Sequence, residues 1–250
     1  MAYEWHRPLE AKSFRFIVFT LLAVVVGGLV LLVPPFYLQG TMVPLSGMRP
    51  YSALELEGRD IYIREGCNVC HSQMVRPLKA ETDRYGAASV AGEGAYDRPF
   101  LWGSRRTGPD LARVGGKYPD SWHWLHMRDP RALEARSNMP AFAFLLDAPL
   151  DTSLTSKKLA TLRTLGHPYS DAEVENAARD ALAQADKIAA GLRGEGQAVS
   201  DAQAHSEAIA VIAYLQTLGR ALKSATAAGT AQAVPTPSTP MAAAGGAGGR

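Results

Sequence analysis

The stretch Gly66-Cys67-Asn68-Val69-Cys70-His71 constrains this chain more than any other. C-x-x-C-H is the attachment signature of c-type haem. Two thiols three positions apart on a helical turn can each add to one of the two vinyl groups on the same porphyrin edge. The next residue, His71, then lies under the ring, where a ring nitrogen can coordinate iron. Half a zinc site is one alternative, but zinc takes four ligands and the chain has no second cysteine pair. A redox dithiol is another, but it expects a βαβ setting that this region lacks. The motif therefore reads as one covalent haem c, held by Cys67 and Cys70 with His71 on the iron.

The 250 residues allow one or two domains. A net charge of +2 and the lack of any long Lys/Arg run argue against a nucleic-acid surface. Both cysteines lie in the motif, so there is no disulfide framework and cysteine count does not set the redox compartment. The haem link does better, because covalent c-type haem is normally assembled outside the cytoplasm.

No charged residue occurs from Phe16 to Met48. As a helix, the strongly apolar part Phe16–Val33 spans about 27 Å at ~1.5 Å per residue, close to the ~30 Å hydrocarbon core of a bilayer. Pro34-Pro35 is expected to limit the regular helix there. Phe36 and Tyr37 at one end, with Tyr3 and Trp5 at the other, suit membrane interfaces. A cleaved signal peptide fits less well: the run is long for an h-region and no A-x-A-like site follows closely. Arg7, Lys12 and Arg15 precede the span, and the first basic residue after it is Arg49. The positive-inside rule then keeps the N-terminus in the cytoplasm and sends the rest of the chain outside.

The sequence predicts a mainly α protein: one N-terminal transmembrane helix, then a helical domain. Residues 1–40 hold the cytoplasmic N-terminus and anchor, 41–51 a linker, and 52–221 the domain, with a helical insertion at about 150–195. Residues 222–250, mostly Ala, Gly, Thr and Pro, read as a disordered tail. Ser52-Ala53-Leu54-Glu55 has the form of a capping box for a helix over about 53–65. Residues 72–108 read as irregular. Asp120 can cap a short helix that carries Trp122, His123, Trp124 and Leu125 and ends at Pro130. Further helices are expected over about 155–165 and, from the capping box Ser170/Glu173, over 171–190 with Gly191 as the stop. A last helix should start near Asp201 behind Ser200, bury Ala208, Val211, Ile212, Leu215 and Leu218, and close at Gly219.

A six-coordinate electron-transfer haem needs a second axial ligand. Met139 is the choice: it lies well downstream of His71, between polar Ser137-Asn138 and Pro140, in a loop flanked by helices. His123 and His126 are the competitors, and bis-His ligation would lower the potential relative to Met/His. Pro109 can offer its carbonyl to the His71 ring N–H, fixing the tautomer; a plain turn proline reads equally well. Arg105 and Arg106 suit haem propionates, or are an ordinary solvated pair. Trp102, Trp122 and Trp124 can wall the haem or fill the core.

With these residues in place the chain resembles a family. G-R-D-I-Y-I-R-E-G-C-N-V-C-H (58–71), T-G-P-D-L (107–111) and S-N-M-P (137–140) occur in the order of a class I cytochrome c domain. The anchor, S-Q-M-V-R-P (72–77) and W-H-W-L-H-M-R-D-P-R (122–131) narrow the resemblance to the mono-haem subunit II of cbb3-type cytochrome c oxidase, a bacterial haem-copper oxidase. It covers roughly residues 10–150 and the last helix at 201–219. The resemblance implies a class I cytochrome c-type fold with insertions, His71 and Met139 as axial ligands, and Pro109 bracing His71. It also implies that the first and last helices of the domain cross, with Gly58 and Tyr62 meeting the stripe near Tyr214. The implied place is the periplasmic face of the bacterial inner membrane. The implied partners are the catalytic haem-copper subunit, a di-haem cytochrome c subunit and a soluble cytochrome c, besides membrane lipid. The chain would carry electrons and perform no oxygen chemistry itself. A free-standing, membrane-tethered shuttle cytochrome is the alternative; it would normally have a longer flexible linker.

Overall fold

The computed structural model describes residues 6–37, 43–103 and 105–227. It divides between Val43 and Pro44 into two compact units. The first holds a single turn, Arg7–Glu10, and helix α1 (Ser13–Tyr37). Ser13–Pro34 is long and apolar enough to cross a membrane, and none of its most apolar window is buried. A helix that is apolar all round needs an apolar surrounding. α1 runs through Pro34-Pro35 to Tyr37, past the point where regular helix was expected to stop. Proline's fixed φ is itself helical, so the backbone can keep the helix through this last turn.

The second unit is also helical; among its described residues there is no strand, only an isolated antiparallel bridge between Pro149 and Ser206. In chain order its main helices are α2 (Ala53–Arg64), α3 (Lys79–Tyr85), α4 (Asp120–Arg128), α5 (Thr155–Thr164), α6 (Asp171–Glu175), α7 (Ala177–Gly194), α8 (Glu207–Leu215) and α9 (Arg220–Ala227). The capping box of α2 is complete: Ser52 Oγ accepts from Glu55 N at 3.4 Å, and Glu55 Oε2 accepts from Ser52 N at 2.8 Å.

α2 and α8 form the centre. Leu54, Ile61 and Tyr62 of the first pack against Ile209, Ile212 and Tyr214 of the second, all essentially fully buried. The helices cross at Gly58, where the Ala210 carbonyl occupies the space of a side chain. The Tyr62 and Tyr214 rings lie beside the crossing, centroids 5.3 Å apart. This is the crossing the resemblance implied.

The insertion closes over α2. α7 buries Ala177, Ala181, Ala185 and Ala189, one per turn, and the small side chains let it approach α2. Ser52 Oγ donates to Gln184 Oε1 at 2.7 Å. From α5, Thr155 Oγ1 and Lys158 Nζ both donate to the Glu57 carboxylate, at 2.7 and 2.6 Å. Lys158 also pairs with Asp60 at 2.7 Å.

Several local expectations change. The helix expected over 171–190 is interrupted at Asn176, whose side chain donates back to the Ala172 carbonyl at 2.9 Å and competes with the helix ladder. α7 then passes Gly191, which has open space around it, and stops through Gly196 at φ +83°. Gly196 N and Gln197 N bond the carbonyls of Arg193 and Leu192, the two bonds of a Schellman stop. Asp120 is the first residue of α4 rather than its cap, and its carboxylate accepts from Gln216 Nε2 at 2.7 Å. Region 72–108, expected to be irregular, contains α3 and a 3₁₀ turn at Ala91–Gly94. The last long helix begins at Glu207, after a 3₁₀ turn at Gln203–His205. The tail expected from residue 222 is helical to Ala227; its remainder, 228–250, and linker residues 41 and 42 lie outside the described residues.

Candidate functional site

Gly66, at φ +70°, turns the chain out of α2 and lets Cys67–Cys70 form one separate helical turn. His71 N bonds Cys67 O at 2.9 Å, and His71 then leaves in an extended conformation. Cys67 is half-buried, Cys70 is exposed, and both thiols are free. Burial, helped by Glu65, pushes the Cys67 thiol up to about 11.

After His71 the chain runs alongside a second segment. Gly108 N bonds Cys70 O at 3.0 Å and Leu111 N bonds Ser72 O at 2.8 Å. Between these two rungs, His71 Nδ1 lies 2.8 Å from the Pro109 carbonyl oxygen. A carbonyl only accepts, so Nδ1 carries the proton and Nε2 keeps its lone pair. That is the tautomer a metal-binding histidine needs. Burial lowers the His71 pKa, partly offset by the Pro109 bond and by Asp110, and so favours the neutral ring. The ring packs against Gly108: a β-carbon there would sit 2.2 Å from His71 Cε1. In the sequence Gly108 stands only as the glycine of T-G-P-D-L, and nothing local marks its place behind the ring.

Arg106 is drawn into the same joint. Its Nε donates to Ser72 Oγ at 2.7 Å, and its Nη2 donates to Met74 O at 2.8 Å and Glu81 Oε2 at 2.7 Å. Arg105 is exposed and makes no hydrogen bond or ion pair among the described residues. Met139 is half-buried between the single turns Pro130–Leu133 and Phe144–Asp147. Its N–H donates to Ser137 Oγ at 3.2 Å, and Phe142 N bonds Met127 O at 2.8 Å, tying the loop to α4. Cys67, Cys70, His71, Gly108 and Pro109 thus come together; Met139, Arg105 and Arg106 make no hydrogen bond to His71.

α4 adds an aromatic wall. Trp122 stacks on Tyr118 at 4.1 Å and on His126 at 4.5 Å, and His123 stands edge-on to Trp122 at 5.3 Å. Burial lowers the pKa of both histidines, that of His123 to about 4 with His126 adding to the effect, while His71 adds to the lowering at His126. His123 Nε2 and His126 Nδ1 are buried without a hydrogen-bond partner among the described residues. Trp124 is in the core, whereas Trp102 is half exposed and stacks on Phe100 at 4.7 Å. A cavity of about 500 Å³, lined by Tyr51, Glu55, Asp97 and Arg220 among others, contains none of Cys67, Cys70, His71, Pro109 or Met139.

The residues present fit a haem. Two thiols share one turn, a histidine is locked in the metal-binding tautomer, a glycine frees the face behind it, and orphaned ring nitrogens nearby await polar partners. Comparison with protein families gives the same class. The family described as "Cytochrome C oxidase, mono-heme subunit/FixO" matches residues 6–222, and the chain belongs to it. It is accordingly a mono-haem subunit of a cytochrome c oxidase, acting in electron transfer with one haem and with oxidase subunits as partners. No curated protein matches the chain.

Proposed function

We propose that this chain is the periplasmic electron carrier of a cbb3-type oxidase. It takes electrons from a di-haem cytochrome subunit or a soluble cytochrome c and hands them to the catalytic haem-copper subunit. The haem part of this reading is carried by the His71 Nδ1–Pro109 carbonyl bond, one residue beyond a turn with two thiols, and the oxidase part by the family match over residues 6–222. Bound haem supplies the one-electron Fe(III)/Fe(II) couple. Cys67 and Cys70 would hold it through thioether bonds, His71 would ligate through Nε2, and Met139 would supply its sulfur as the second ligand. Trp122, His123 and His126 exclude water beside it. Arg105, exposed and without an ion pair among the described residues, suits a propionate; Arg106 reaches one only from its Glu81 and Ser72 bonds. α1 anchors the chain, with Arg7, Lys12 and Arg15 on the cytoplasmic side. The short connection from Tyr37 to Ser52 supports a docked domain over a swinging tether.

The test is purification of the tagged chain in mild detergent, with haem staining on a denaturing gel. A stained band that co-purifies with a large subunit carrying haem b and copper supports the reading. A stained band with no such partner selects the free-standing shuttle. Stain that persists after Cys67→Ser with Cys70→Ser refutes attachment at this motif. Alkaline phosphatase fused after Met48 should be active, and an inactive fusion contradicts the orientation.

A further inference from the structure

Asp110 follows Pro109, and Ser72 follows His71. The Asp110 side chain is fully buried. Its Oδ2 accepts from Ser72 Oγ at 2.6 Å and from Met74 N at 2.9 Å, and its Oδ1 accepts from Ala112 N at 2.9 Å. One carboxylate therefore ties the residue after the histidine to the residue after the histidine's acceptor. Arg106 closes the joint, donating to Ser72 Oγ at 2.7 Å and lying 3.5 Å from Asp110 Oδ2. Because Ser72 Oγ accepts from Arg106, its own proton is directed to Asp110. Bonds to a carboxylate are shorter and stronger than neutral ones, and buried networks of this kind hold one geometry.

From this arrangement we propose that Asp110 is a positioning residue for His71. It holds the Pro109 carbonyl against Nδ1–H and thereby sets the redox potential of the site. The inference rests on the haem reading above. A firm Nδ1–H···O bond makes the ring a better donor through Nε2, which favours the oxidised iron. With the joint loosened, the ring donates less and the reduced form gains. A carboxylate that merely staples 72–74 to 110–112 would leave the Nδ1 proton exchange alone; because loss of the Asp110 charge raises the potential by itself, the potential is decided by Ser72→Ala, which keeps that charge.

The test uses the full-length, haem-loaded chain in detergent and the variants Asp110→Asn and Ser72→Ala. Asparagine keeps the shape but turns one acceptor into a donor, so at least one bond to Ser72, Met74 or Ala112 is lost. Alanine at residue 72 removes the hydroxyl link and leaves the carboxylate. Two quantities are read: the midpoint potential by spectroelectrochemical titration, and the exchange rate of the His71 Nδ1 proton by NMR of the ferric protein. Both variants should show a raised potential and faster exchange, Ser72→Ala by less. Wild-type potential and exchange in both variants overturn the proposal, even if they melt earlier. If Asp110→Asn fails to mature, Ser72→Ala decides alone. A wild-type chain without covalent haem overturns the haem reading and this inference with it; a loaded wild type with unresponsive variants overturns this inference only.

Discussion

A β-carbon on Gly58 would lie 1.9 Å from the carbonyl oxygen of Ala210 and 3.0 Å from Tyr214 Cβ. α2 and α8 therefore meet where α2 has no side chain, and only glycine fits. Glycine inside a helix costs about 0.5–1 kcal/mol relative to alanine. The close approach offsets that by letting Leu54, Ile61 and Tyr62 reach the buried face of α8.

Gly58→Ala should destabilise the domain by about 1–3 kcal/mol, as overpacking does. At roughly 2–4 °C per kcal/mol for a domain of this size, the loss is readable as a lower Tm by circular dichroism. Gly191→Ala is the contrast: it sits in α7 with nothing within 4 Å. There the same substitution should stabilise by about 0.5–1 kcal/mol. Equal melting of Gly58→Ala and wild type would contradict the crossing.

Gly108→Ala should act on the iron rather than on attachment. Its new methyl group would fall 2.2 Å from His71 Cε1, so the ring must leave the Pro109 carbonyl. Haem staining should persist, because Cys67 and Cys70 are untouched. The ferric absorption and EPR spectra should move from low-spin toward high-spin. An unchanged low-spin spectrum would mean that His71 does not use this geometry.

Met139 is tested against α4. Met139→His should keep the iron low-spin and lower the potential, within the range of about 0.8 V that axial ligands span. Met139→Ala should open a position that added carbon monoxide can take, with haem content near normal. The weak charge-transfer band of thioether-ligated ferric haem should be lost in both. If Met139→Ala changes nothing and substitution of His123 or His126 does, the ligand pair is bis-His.

Acid stability should depend on Glu81. Hydrogen bonds from Arg106 and then Arg76 hold its carboxyl at about 2, below its ordinary 4.5. A folded value below the unfolded one means that stabilisation is complete above pH 4.5 and is lost as the pH falls toward 2. Glu81→Gln should therefore lower the urea midpoint at about pH 7, and by less at about pH 3. A gap of equal size at both pH values would show that the ion pairs do not cause the effect.

The legible features were the short-range ones. C-x-x-C-H, the uncharged run Phe16–Met48, and the capping boxes Ser52/Glu55 and Ser170/Glu173 each lie within a few turns of chain, where residue type and spacing are themselves the physics. Gly196 carries its own φ preference, yet Gly191 looked as good a stop, because only the surroundings tell a helix where to end. α3 and the break at Asn176 were missed because elements this short carry little periodicity.

The candidate site divides along the same line. Sequence alone determined the two thiols and His71, since they are chain neighbours and their chemistry depends on that spacing. It also determined the apolar span, which needs no contact to be recognised. What stands behind His71 was legible in part: the sequence offers Pro109 as a carbonyl brace or as a plain turn proline, and the tertiary structure decides for the brace. Pro109, 38 residues away, supplies the carbonyl; Gly108 leaves room for the ring, and Asp110 and Ser72 lock the two segments together. Arg106, which reads from the sequence as a propionate partner, is held by Ser72, Met74 and Glu81. Such bonds depend on which backbone stretches folding brings within about 3 Å, and a hydrogen bond weakens steeply beyond that reach. No periodicity or local propensity records them, because their partners lie 25–38 residues apart in the chain.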